Sequence, residues 1–221
     1  MAHSHDHHDH NHDHDHGHSH EHLPISDKHD AFGHEHALAQ AIRELLDEKG
    51  IVTAEQIARQ IDLQDSRTPA LGAKVVVKAW TDPEFKEALL KEPLKAISDH
   101  FGMAISTPLE LVVLENTPTL HNVVVCTLCS CYPRMLLGIP PAWYKTTDYR
   151  SRVVIEPRAV LKEFGTILSD DVEIRVSDST ADVRYLVLPL RPAGTEKMTT
   201  EELEALVTRD TMIGTAVPKL H

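Results

Sequence analysis

The chain has 221 residues, 22 of them Lys or Arg and 34 Asp or Glu, for a formal net charge of −12. Apolar residues at 41% and charged residues at 25% are ordinary globular proportions, and the acidic balance excludes a protein that grips a phosphate backbone, which needs a basic face. No apolar run approaches the ~20 residues of a membrane span, the N-terminus lacks the basic and apolar regions of a secretory leader, and three cysteines are too few for a disulfide scaffold. A cytoplasmic chain is expected, with neither nucleic acid nor membrane among its partners.

Histidine is the abnormal residue. Of 17, 14 lie between His3 and His36, leaving His100, His121 and His221 for the rest of the chain. Residues 3–22 alternate His with Asp, Ser, Asn, Gly and Glu. Such a run has no apolar surface to offset the entropy of ordering it, so 1–36 is expected to be a disordered His-rich tail. Neutral imidazoles suit zinc, nickel, cobalt and copper, so the tail reads either as a metal-loading segment or as a solvated appendage.

Helical periodicity starts near residue 37. Leu38, Ile42, Leu45 and Leu46 share a face that Gly50 terminates. Thr53 with Gln56 predicts a capping box for a second helix carrying Ile57 and Ile61. Thr68-Pro69 starts a third, with Leu71, Val75, Val76 and Trp80 inward. Thr81-Asp82-Pro83 starts a fourth through Phe85, Leu89 and Leu90, and Pro93 opens a fifth that ends at Gly102. Residues 37–105 are therefore expected to be a helical arm of short amphipathic pieces that packs on a partner subunit.

From 106 to 221 the pattern is mixed. Leu109–Glu115 and Leu120–Val125 read as strands joined by the turn Asn116-Thr117-Pro118-Thr119. Thr147-Asp148 caps one helix, and Pro157 opens another that ends at Gly165. The alternation Val172, Ile174, Val176 and the run Val183–Leu188 give two more strands. Thr199 with Glu202 is a second capping box, leading a helix through Leu203, Leu206 and Val207. Strands and helices do not alternate strictly, so the expected class is α+β, a helical arm followed by a mixed metal-binding domain of layered sheets and helices.

All three cysteines fall in Cys126-Thr127-Leu128-Cys129-Ser130-Cys131, directly after an apolar strand. Three sulfurs within six residues can converge on one point, whereas a disulfide between Cys129 and Cys131 would close a strained ring. Buried free thiols can also be small apolar residues. A structural zinc or an iron–sulfur cluster wants four ligands. No fourth cysteine exists, and His121 or His100 would have to serve. The backbone offers another completion, since the amide nitrogens of Ser130 and Cys131 could bind if deprotonated. Thiolates with such amides are strong-field donors, suited to low-spin trivalent cobalt or iron.

The segment Val125–Pro133 resembles the metal claw of nitrile hydratase α subunits. The resemblance extends through Leu137–Lys145, Tyr149–Arg152, Glu156–Leu161, Val172–Val176, Arg184–Pro189, Arg191–Glu196, Val207–Asp210 and Met212–Gly214. Lys78-Ala79-Trp80 and Glu115–Pro118 also match, so it spans roughly residues 37–218. Thr127, where iron enzymes carry serine, resembles the cobalt branch and makes Co(III) the expected metal ahead of Fe(III). The resemblance implies that Cys126 is an axial ligand, and that Cys129 and Cys131 are equatorial ligands oxidised to sulfinic and sulfenic acid. It also implies that the amide nitrogens of Ser130 and Cys131 complete the plane. Cys129, Ser130 and Cys131 would then form the catalytic set, hydrating a small nitrile to its amide with either an activated water or the Cys131 sulfenate as attacker. The implied partners are a β subunit covering the metal, whose arginines hold the oxidised sulfurs, and an activator protein that loads cobalt.

One departure stands out. Pro133-Arg134-Met135 follows the claw where nitrile hydratases carry tryptophan in place of Arg134. Arginine there resembles the γ subunit of thiocyanate hydrolase, as does the His-Asp-rich N-terminus, and a cation near the pocket would favour an anionic substrate. An arginine turned into a subunit interface would leave the same mark. Trp143 and Tyr144 read as core or interface aromatics, and Arg150, Arg152 and Arg158 as surface-paired or loop-fixing cations. A non-enzymatic metal storage or delivery protein is the remaining alternative.

Overall fold

The computed structural model describes residues 32–102 and 109–220. The His-rich run up to Ala31, and with it the expectation of disorder there, lies outside the described residues, as does His221. Ten helices and four strands follow in the described chain. They are α1 (Phe32–Glu48), α2 (Ala54–Asp65), α3 (Ala70–Thr81), α4 (Pro83–Lys91), α5 (Pro93–Phe101), β1 (Glu110–Glu115), β2 (Leu120–Val125), α6 (Arg134–Leu137), α7 (Thr147–Ile155), α8 (Pro157–Glu163), β3 (Glu173–Asp178), β4 (Val183–Leu188), α9 (Thr200–Leu206) and α10 (Arg209–Ile213), with a 3-10 turn over Ala142–Lys145. No described helix is long and apolar enough to cross a membrane.

Local chemistry sets most of the boundaries. Thr53 and Gln56 form the expected capping box on α2, and Thr199 and Glu202 form the one on α9. Asp82 accepts from the amides of Glu84 and Phe85 while Pro83 occupies the first turn of α4. α5 ends on Gly102 in the left-handed region at φ 63°. The cap of α7 is Thr146, which accepts from the amide of Tyr149, one residue before the expected Thr147.

The turn at Asn116–Thr119 forms, yet β1 and β2 part from one another after it. β1 pairs in parallel with β4, from Glu110 opposite Val183 to Glu115 opposite Leu188. β2 pairs in parallel with β3, from Leu120 opposite Glu173 to Val125 opposite Asp178. The β2 segment Val123-Val124-Val125 is buried throughout, the continuous apolar reading of a strand covered on both faces.

α3 is the central helix. Val75, Val76 and Val77 are all within 1% of full burial, so the buried face is wider than the single stripe expected from the sequence, and Lys74 is left on the exposed side. Trp80 donates from Nε1 to the carbonyl of Pro189 at 2.7 Å. Gly72 lets α3 approach its neighbours, since a Cβ there would meet Met212 Sδ at 2.7 Å and a Leu137 methyl at 2.8 Å. α4 and α5 lie against β1 and close the same core. α1 and α2 differ. α2 has no buried residue, and Leu38, Ile42, Leu45, Ile61 and Leu63 are each about half exposed.

Candidate metal centre

The cysteine loop leaves the C-terminal end of β2. Cys126 is the first residue past the strand and is 1% exposed, because it continues the buried valine run. Thr127 then turns the chain outward. Its amide donates to Asp178 Oδ1 at 2.9 Å and its hydroxyl to Oδ2 at 2.5 Å. Asp178 is the last residue of β3, opposite Val125, so the pairing of β2 with β3 places the carboxylate that anchors the loop.

The three Sγ atoms converge. Cys126 and Cys129 are 3.2 Å apart, Cys129 and Cys131 are 3.1 Å apart, and all three lie within 4.8 Å of one another. A disulfide needs a separation near ~2.0 Å, and all three cysteines are free. Two sulfurs at right angles on one ion, each ~2.3 Å from it, sit about 3.2 Å apart. The loop therefore presents the edge lengths of an ion-binding face, and the residues present fit a single thiolate-bound metal. It is the only such group of metal-ligating side chains among the described residues.

The thiols share their protons unequally. Hydrogen bonding from Cys131, then from Cys126, draws Cys129 down to about 7, while burial and the same Cys129 contact push Cys131 up to about 12. The exposed Cys129 thus ionises ahead of Cys131.

Two tyrosines hold the loop from beneath. Tyr144, fully buried, donates from its hydroxyl to the carbonyl of Cys131 at 2.9 Å, and Tyr149 donates to the carbonyl of Val124 at 2.7 Å. Burial raises both phenols far above their ordinary range, so each remains a proton donor. Their rings lie 5.7 Å apart, and Trp143 packs edge-on against Tyr149 at 4.9 Å. The core role read for Trp143 and Tyr144 is present, and nothing local to Tyr144 in the sequence marks it as also gripping the claw.

Of the three arginines read as possible loop fixers, only Arg150 reaches it, with Nη1 3.4 Å from the carbonyl of Cys129. Arg152 is held by Asp148, Glu156 and Glu163. Arg158 donates to the carbonyls of Leu168, Ser169 and Val172. The two fallback histidine ligands lie elsewhere. His100 packs at a tilt against Phe85 and edge-on against Phe101. His121 sits at the opposite end of β2 with Nε2 2.7 Å from the carbonyl of Gly214.

A cleft of ≈ 450 Å³ opens beside the sulfurs, lined by Cys129, Ser130, Cys131 and Tyr132. Arg67, Arg134 and Arg184 also face it, against the single carboxylate of Glu110. Arg134 thus opens onto the cleft. Arg67 and Arg184 carry no motif of their own and were missed; the first arrives from the α2–α3 link and the second from β4.

A cleft walled on one side by a strand-end thiolate loop, which two buried tyrosines hold from behind, defines a class of protein, a thiolate metal centre built on a parallel strand pair. The family model for the nitrile hydratase alpha chain matches residues 34–216. The chain is 50% identical over 183 residues, 82% of its length and 88% of the relative's, to the low-molecular weight cobalt-containing nitrile hydratase subunit alpha of Rhodococcus rhodochrous. Among solved structures, a double mutant of the Fe-type nitrile hydratase from Comamonas testosteroni Ni1 superposes with a TM-score of 0.77 at 43% identity, covering 86% of this chain and 91% of that one. A recombinant thiocyanate hydrolase comprising partially modified cobalt centres gives a TM-score of 0.78 at 43% identity, with 88% and 91% covered. The chain belongs to the nitrile hydratase α-chain family.

Proposed function

We propose that this chain is the metal-bearing α subunit of a cobalt nitrile hydratase, which adds water across the C≡N bond of a small nitrile to give the amide. The convergence of three free thiols to the edge lengths of one ion-binding face carries the reading, and the cobalt-containing relative from Rhodococcus supports the choice of metal. Cys126, Cys129 and Cys131 hold the metal through sulfur, and Ser130 and Cys131 through their amide nitrogens. Cys129 and Cys131 work as sulfinic and sulfenic acids. Bound Co(III), in preference to Fe(III), supplies Lewis acidity that polarises the nitrile carbon.

The chain's own residues do the rest. Cys126 fixes one corner of the site because the buried strand end cannot move. Asp178 and Tyr144 hold the two ends of the loop, so the exposed segment between them keeps its shape. The cleft admits a small linear substrate to Cys129, Ser130 and Cys131. A β-type subunit covers this mouth and takes up the exposed apolar residues of α1 and α2, including Leu38, Ile42 and Leu45. The complex works in the cytoplasm, is loaded by an activator protein, and draws scarce cobalt through the His-rich N-terminus.

One observation favours a second reading. The three arginines around the cleft suit an anion, and a γ-type subunit of thiocyanate hydrolase would have that use for them. The test is co-expression with a β-type partner, followed by assay of the loaded complex on propionitrile and on thiocyanate. Amide formation, with thiocyanate at least about tenfold poorer in kcat/KM, supports the hydratase. The reverse order assigns the chain to thiocyanate. Exchangeable cobalt without turnover of either would make it a carrier.

A further inference from the structure

The elements after the claw aim three polar side chains at backbone carbonyls of the claw and of the strand that leads into it: Tyr149 at Val124 of β2, Arg150 at Cys129 and Tyr144 at Cys131. Arg150 is the only cation of the three. Its neighbour Tyr149 is 4% exposed and tied to β2, and the helix start is capped by Thr146, so α7 presents the guanidinium from a fixed base. Arg150 Nε is buried with no hydrogen-bond partner among the described residues. A buried N–H of a cation without an acceptor is costly, and the acceptor within reach of the same guanidinium is the Cys129 carbonyl.

That carbonyl is one half of the peptide bond whose other half is the Ser130 nitrogen. Resonance joins the two atoms. When the Ser130 amide gives its proton to solvent and its nitrogen electron pair to a metal, negative charge spreads onto the Cys129 oxygen. The guanidinium stands where that charge appears. A separation of 3.4 Å is long for such a contact, and charge-assisted bonds close to about 2.7–2.9 Å.

We propose that Arg150 is a positioning residue of the metal centre, holding the Cys129 carbonyl and balancing the charge of the metal-bound Ser130 amide. The proposal rests on the reading of Ser130 as a backbone ligand. It assigns to Arg150 a task that neither Arg152 nor Arg158 can share, since the first is engaged by three carboxylates and the second by three distant carbonyls.

The experiment compares Arg150→Gln, Arg150→Lys and the control Arg152→Gln, each in the co-expressed, cobalt-loaded α–β complex. Three quantities are read: the sulfur-to-cobalt charge-transfer band, the cobalt retained against a chelator, and kcat and KM separately. Arg150→Gln is expected to shift the band, lose cobalt about tenfold faster and lower kcat about tenfold with KM within twofold. Arg150→Lys restores part of each, and Arg152→Gln leaves the band in place. A purely structural role would lower the thermal midpoint of the metal-free complex and leave the band of Arg150→Gln unshifted at full cobalt, and that overturns the proposal. If Arg150→Gln yields no complex, Arg150→Met, which keeps the length of the side chain without its charge, decides, since an unshifted band and unchanged retention in it would also overturn the assignment. A wild-type complex without the band would instead refute the reading of the claw itself, so the two failures are distinguishable.

Discussion

The two ends of β2 carry polar clusters of opposite character. At the N-terminal end, Asn116 Oδ1 accepts from the backbone and side-chain amides of Asn122 at 2.7 and 3.0 Å. That fixes the Asn116 amide nitrogen toward His121 Nδ1 at 3.3 Å, which leaves His121 Nε2 to donate to the Gly214 carbonyl. Each of these side-chain atoms has a partner, and the tautomer of His121 is set by its neighbours. At the C-terminal end the thiols face one another, with Arg150 Nε buried and unpartnered beside them. A saturated network specifies the fold and has nothing left to offer a ligand. An unsaturated one holds chemistry that only a bound ion completes.

Breaking the open end is expected to have the largest effect on function and little on the fold. Cys126→Ala or Cys131→Ala should remove bound cobalt and lower activity by at least about a thousandfold, with the far-UV spectrum unchanged. Metal analysis and turnover of the purified complex check this.

Breaking the closed end should do the reverse. Gly214 has φ 91° and a Cβ there would lie 2.0 Å from the Asn122 carbonyl oxygen. Gly214→Ala is expected to destabilise the chain by about 3 kcal/mol or more, read as a lower thermal midpoint of the metal-free complex, while whatever folds keeps one cobalt.

The same end predicts a pH dependence. Burial holds His121 below its ordinary value near 6.5. The unfolded chain therefore binds the proton more readily than the folded one. His121 contributes no destabilisation above about pH 6.5, and stability falls as pH drops below it toward the lower folded value. Subtracting the stability–pH curve of His121→Gln from that of the wild type isolates this slope from the tail histidines, which both proteins share. A flat difference between pH 5 and 6.5 would break the account of the network.

Weaker effects sharpen the comparison. Asp178→Asn removes the charge from the two bonds that hold Thr127, and should slow cobalt uptake by roughly threefold at limiting metal while moving the melting temperature little. Deleting residues 1–31 should leave turnover of loaded complex within about twofold, since the reacting atoms belong to Cys129, Ser130 and Cys131. Its effect belongs to loading at scarce cobalt, and it should fade in mildly acidic medium as imidazoles protonate near ~6.5.

The claw itself was legible in the sequence because its ligands are neighbours in the chain. So were the helix starts written as Thr53 with Gln56, Asp82-Pro83 and Thr199 with Glu202, since capping is a contact over three residues. A third capping box, Thr208 with Thr211 on α10, lacks the acidic or amide partner that marks the others and passed unread. The strand pairing was not legible. Asn116–Thr119 has the composition of a hairpin turn, but the partners of β1 and β2 are β4 and β3, and nothing local to either strand names them. Asp178, Tyr149 and Arg184 were hidden for that reason, as each reaches the site only through a pairing or a packing contact distant in sequence. The sequence of α3 suggests a single stripe because Leu71, Val75 and Val76 fall at i, i+4 and i+5, and the burial of Val77 beside them depends on neighbours distant in sequence.

The most direct test of the central claim is X-ray absorption at the cobalt edge of the purified α–β complex. The account predicts three sulfur scatterers at about 2.3 Å or slightly less, with lighter atoms completing the shell, and loss of that sulfur shell in Cys126→Ala. A first shell of nitrogen and oxygen alone in an active complex, unchanged in Cys126→Ala, would place the metal on the histidines and contradict it.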